Sequence, residues 1–121
     1  FSKLEKNINY FPERDYVHIW DVCKAFTQVI ENWDTFKNET YNVGNDAINM
    51  NKLQLAETVK RYTPLEIIKA EFTSDPDKRD YIVSNRKIEN TGFLPQFSLD
   101  MGIEELIKGY TMIKNSKFGN V

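Results

Sequence analysis

The residues of this chain best placed to do chemistry are cations at strand entrances. Arg14 opens the stretch RDYVHIWD, 14–21, in which Tyr16, Val17, His18 and Ile19 read as a strand. Lys78 and Arg79 lie in the charged turn SDPDKRD, 74–80, directly before a second apolar run, YIV. A guanidinium held on a rigid element presents a planar fork of N–H donors that matches phosphate oxygens. Two such cations at strand entrances could converge on one diphosphate. The plainer alternative pairs Arg14 with Asp15 or Asp21, and Arg79 with Asp77 or Asp80, as solvated ion pairs of little energetic consequence. Spacing by itself favours the ion pairs.

Other chemistries find fewer residues. His18 is the only histidine and Cys23 the only cysteine. They are separated by a strand-to-helix boundary, and Cys23 sits beside an apolar helix stripe, so it reads as a partly buried structural thiol. His18 shares a strand face with Tyr16 and reads as a structural histidine. No cysteine and histidine cluster offers a zinc site, and neither G-x-G-x-x-G nor G-x-x-x-x-G-K occurs, so no complete nucleotide-cradling domain is encoded. Most of the carboxylates are accounted for by caps and exposed helix faces. An unrelated small hydrolase would need a nucleophile and base that are not found.

The elements that must position Arg14 and its companions are short. After the 16–19 strand, Asp21 is expected to cap a helix whose stripe is Val22, Ala25, Phe26, Val29, Ile30 and Trp33. TYNVG, 40–44, reads as a second strand stopped by Gly44. Asn51 is expected to cap a helix carrying Leu53, Leu55, Ala56 and Val59, ended by Pro64. Further strands are expected at EIIKAEF, 66–72, and YIV, 81–83. Ser84 is expected to cap a short helix through Ile88 that closes at Gly92. Ser98 should cap the last helix, with Ile103, Leu106, Ile107 and Tyr110 on its apolar face and Lys108 and Lys114 toward its negative end. Short strands alternating with about four helices predict the α/β class.

Composition bounds the rest. With 121 residues, 40% of them hydrophobic, the chain supports one modest core and one domain, 1–121. A net charge of −2 advertises no nucleic acid and no anionic membrane surface. No apolar run reaches a membrane span, the start lacks a signal-peptide core, and a single cysteine suits a reducing cytosol, so a cytoplasmic location is expected. The chain begins at Phe1, which suits a processed chain or a piece of a longer protein.

RDYVHIWDVCKAF, then TYNVG, then DPDKRDYIVSNRKIENTGFLPQFSLDMGIEELIKGY, together resemble the C-terminal part of the extended short-chain dehydrogenase/reductases, the NAD-dependent nucleotide-sugar epimerases and dehydratases. The resemblance runs from about Arg14 to Tyr110. It implies the substrate-binding portion of such an isomerase or lyase, an extended Rossmann-type enzyme whose NAD-binding domain is absent here. It implies that Arg14 grips the substrate diphosphate, that Tyr16 lies beside the nucleotide, and that Asn42 contacts the substrate. The second diphosphate cation is Lys78 or Arg79, since D-P-D-K-R-D stands where the family has R-P-G-D.

The same resemblance implies a nucleotide-diphosphate sugar as ligand and the missing Rossmann domain as partner. A homodimer and NAD belong to the full-length enzyme; no cofactor and no catalytic residue belong to this segment, which alone should be inactive. Tyr110 and Lys114 do have the Tyr-x-x-x-Lys spacing of the family's catalytic pair, but on the wrong helix. The family's glycine-containing hairpin is also missing from NINYFPERDY. The competing reading is a free-standing or degenerate module that binds a nucleotide or a protein without catalysis. Exposed apolar surface discriminates the two: a part separated from a Rossmann domain should show a large uncovered patch.

Overall fold

In the computed structural model, residues 13–68 and 81–113 are described. Among them the chain runs as β1 (Glu13–Asp15), α1 (Ile19–Glu31), α2 (Trp33–Phe36), a 3₁₀ turn (Asp46–Ile48), β2 (Asn49–Asn51), α3 (Lys52–Lys60), α4 (Arg86–Glu89) and α5 (Leu99–Met112). The two strands pair antiparallel with Glu13 opposite Asn51, Arg14 opposite Met50 and Asp15 opposite Asn49. The result is a mixed helix-and-sheet chain, with five helices and one two-stranded antiparallel ribbon among the described residues. No helix among the described residues is long and apolar enough to cross a membrane.

Several expected elements move or dissolve. The ladder lies at 13–15, not 16–19, because the helix takes over at Ile19. His18 caps it: the Trp20 backbone N–H donates to His18 Nδ1 at 3.2 Å, and the His18 carbonyl accepts from the N–H groups of Asp21 and Val22 at 3.0 and 3.2 Å. Asp21, expected as the cap, is the third helical residue and is fully buried. The stretches 40–44 and 81–83 are extended in sequence character but form no ladder, since a strand exists only where a partner supplies its hydrogen bonds. Of 66–72, residues 66–68 have no regular structure and the remainder lies outside the described residues. Lys114 lies outside them too.

The local signals hold. Asn51 and Gln54 form a reciprocal capping box on α3, and Ser98 Oγ accepts the Met101 N–H at 3.2 Å at the start of α5. Gly92 follows α4 with φ of +92°, a conformation that glycine adopts without strain. Asn85, not Ser84, precedes α4, and its side chain is turned away from the helix to a network described below.

The core is compact: Ala25, Phe36, Ile88 and Phe93 are buried against one another, with Val29, Tyr41 and Val43 packed around them. Gln28 ties α1 to the turn after α4 by donating to the Thr91 carbonyl at 3.2 Å and its hydroxyl at 3.1 Å. The predicted single stripe of α1 therefore splits. Ala25, Val22 and Val29 turn inward with Asp21, while Ile19, Phe26 and Ile30 form a second row, each more than half exposed; Trp33, expected on the same stripe, falls in α2 and is exposed too. Cys23 lies on that exposed row and is a free, exposed thiol, not a partly buried one.

Candidate functional site

Arg14 stands in the middle of β1, half-buried, with Met50 across the ribbon. Its Nη1 donates to the Glu13 carbonyl at 2.9 Å, and its guanidinium carbon lies 5.2 Å from the centre of the Tyr81 ring. Asn42 is exposed and donates from Nδ2 to the Ser84 carbonyl at 3.3 Å. The structure thus gathers Arg14, the segment 81–85 and Asn42 into one connected group. Lys78 and Arg79 lie outside the described residues.

Beneath the ribbon is a polar network that sequence reading missed. Asn85, fully buried, donates from Nδ2 to Asp46 Oδ1 at 2.7 Å and, at the limit of hydrogen bonding, to Asp15 Oδ2 at 3.4 Å. Gly44 lets this network close, because a Cβ there would lie 1.9 Å from Asp15 Oδ2. Asp15 Oδ1, Asn49 Oδ1 and Asn85 Oδ1 are buried without a hydrogen-bond partner. No group of three or more histidine, cysteine, aspartate or glutamate side chains among the described residues is arranged to hold a metal ion. A turn residue between two apolar runs was the only sequence signal for Gly44; its closeness to Asp15 is a tertiary fact.

Tyr16 points to a different feature. With Ile19, Ile48, Leu55, Val59 and Leu106 it lines an apolar groove of about 550 Å³ between the chain entering α1, α3 and α5. His18 forms part of the same wall. Its Nε2 lies 3.2 Å from Glu105 Oε2 and its ring stacks on Phe97 at 4.5 Å. Since Nδ1 accepts from Trp20, both ring nitrogens are engaged, and the imidazole bridges α1 and α5 from a helix-cap position instead of the expected strand face. Gly102 admits it: a Cβ there would lie 3.1 Å from His18 Cδ2.

At the far end of α3, the Tyr62 hydroxyl donates to Asp100 Oδ1. That hydrogen bond, reinforced by partial desolvation and by the charges of Asp100 and Glu104, holds the Tyr62 phenol above the ordinary tyrosine value. In a spectrophotometric titration, Tyr62→Phe should remove a phenol that ionises above the ordinary tyrosine value. The linkage has a definite sign. A phenol whose pKa is raised in the folded state contributes stability that is complete below the unfolded value, about pH 10, and lost as pH rises through the folded one.

NAD is the cofactor that the family resemblance implies, and these residues do not fit it. A pyrophosphate cradle needs open N–H groups at a helix start, usually behind glycines. Here the starts of α1, α3 and α5 are closed by His18, Asn51 and Ser98. No protein-family model matches the chain.

Proposed function

We propose that the chain is the nucleotide-sugar-binding portion of an NAD-dependent epimerase or dehydratase, in which Arg14 anchors the substrate diphosphate. The observation that carries this reading is the setting of Arg14: a guanidinium fixed at the centre of a rigid ribbon and braced on an aromatic ring. A surface ion-pair arginine needs neither. Tyr16 and Asn42 stand on the segments flanking it, with Lys78 or Arg79 as the second cation. In the full enzyme, NAD and the catalytic groups belong to the Rossmann domain, and this portion orients the sugar by holding its diphosphate. By itself it turns nothing over.

The exposed row of α1 supports a covering partner. Ile19, Phe26 and Ile30 follow one face of a thirteen-residue helix, and Trp33 at the start of α2 is exposed just beyond it. A self-sufficient module has no reason to leave such a row wet, whereas the Rossmann domain of the parent enzyme would bury it. Homodimerisation and a cytoplasmic location go with the same reading.

Calorimetric titration with UDP, GDP, CDP and dTDP tests it. The folded chain should bind at least one of them with Kd between millimolar and micromolar, and Arg14→Ala should abolish the signal. Unchanged binding by the Arg14→Ala chain would remove the diphosphate anchor, and with it the family reading.

A further inference from the structure

We propose that Tyr81 is a positioning residue for Arg14: its ring is the shelf that holds the guanidinium ready for a diphosphate, and Asn42 braces the segment that carries the shelf. This inference rests on the proposal that Arg14 grips the diphosphate. An arginine side chain on a two-stranded ribbon has several free torsions, and fixing them on ligand binding costs affinity. A guanidinium laid over an aromatic face loses that freedom beforehand, and its N–H donors lie in the plane of the fork, away from the ring. Arg14 has such a shelf at 5.2 Å, and the Glu13 carbonyl takes one of its N–H groups at 2.9 Å, so the head is fixed from two directions.

The shelf is itself anchored. Three residues after Tyr81, the Ser84 carbonyl accepts from Asn42 Nδ2, and the next residue, Asn85, is locked in the buried network with Asp46 and Asp15. Asp15 adjoins Arg14 in β1. Ribbon and shelf are therefore two ends of one closed circuit, and a strain at either is felt at the other. Asn42 then acts through the 81–85 segment, with one of its two amide N–H groups given to the Ser84 carbonyl. The aromatic ring does the positioning, and the phenolic hydroxyl is dispensable.

Three variants of the full chain, Tyr81→Leu, Tyr81→Phe and Arg14→Ala, are titrated with UDP, GDP, CDP and dTDP, with circular dichroism confirming that each is folded. Tyr81→Leu should weaken binding roughly three- to tenfold, the range of an aromatic–cation contact, while Tyr81→Phe stays within about twofold of wild type. In the absence of nucleotide, the Arg14 side-chain proton resonances should carry a ring-current shift that Tyr81→Leu abolishes and Tyr81→Phe keeps. If Arg14→Ala loses binding and Tyr81→Leu does not, the shelf is refuted and the diphosphate reading stands. If Tyr81→Leu and Tyr81→Phe weaken binding equally, the hydroxyl acts and the shelf is again refuted. If the folded wild type binds none of the four, or Arg14→Ala binds as well as wild type, the diphosphate reading itself fails and the inference falls with it.

Discussion

Gly44→Ala should lower the unfolding free energy by about 2–5 kcal/mol, combining an overpacking cost with the loss of a buried hydrogen bond. The added methyl would lie 1.9 Å from Asp15 Oδ2, 2.7 Å from Asp15 Cγ and 2.9 Å from Asn85 Nδ2. Side chains from β1 and from the entry to α4 thus meet the same point. Moving Asp15 disturbs the residue paired with Asn49 across the ribbon, and moving the fully buried Asn85 breaks its part-buried 2.7 Å bond to Asp46. Small domains are stable by about 5–15 kcal/mol, so such a loss would be visible as a large shift in denaturant midpoint. Gly109→Ala is the control: nothing lies within 4 Å of its Cβ position, and on helix propensity it should be neutral or mildly stabilising. Combining Gly44→Ala with Asp15→Ala should cost less than the sum of the two, because removing the carboxylate makes room for the methyl. Strict additivity would mean that the crowding is relieved elsewhere.

What the sequence made legible follows from range. The Asn51 cap, the Ser98 cap and the left-handed Gly92 all involve groups within four residues of one another, so composition and spacing suffice to read them. The cap of α1 is local too but was assigned to Asp21, because aspartate is a favoured cap and histidine is not. What overrode that preference is 75 residues away: the Gln96 N–H, which takes the Asp21 carboxylate into the interior. The bond between Asn85 and Asp46 spans 39 residues and the ribbon joins segments more than thirty apart, so no window of periodicity contains them. Arg14 was legible as a cation at a strand, whereas Tyr81 was only one aromatic in an expected strand until the fold placed it beneath that cation. The apolar spacing of α1 was legible; which half of it meets the core was not, since that depends on what packs against each side.

Asp21 is where these two ranges separate experimentally. Its carboxylate, fully buried, accepts the Gln96 N–H on Oδ1 at 2.9 Å and the Phe97 N–H on Oδ2 at 3.1 Å. It therefore fastens the segment leading into α5 onto the first turn of α1, beside the stack of Phe97 on His18. Asp21→Ala leaves two interior backbone donors without a side-chain acceptor and should cost about 2–4 kcal/mol. Asp21→Asn keeps the shape but not the chemistry: its oxygen can accept one N–H, while its amide nitrogen faces the other as donor against donor, at a cost of about 1–3 kcal/mol. Were Asp21 only a helix cap, alanine would cost about 1 kcal/mol and asparagine almost nothing, since the two residues cap equally well. Denaturant unfolding of the two variants distinguishes these cases. Amide exchange gives the second reading, because loss of the tether should speed exchange at Gln96 and Phe97, whereas loss of a cap should speed it only in the first turn of α1. A cheap asparagine substitution with Gln96 and Phe97 still protected would show that the carboxylate does not hold α5 to α1. The His18 clamp on Glu105 and Phe97 would then be what keeps the two helices in register.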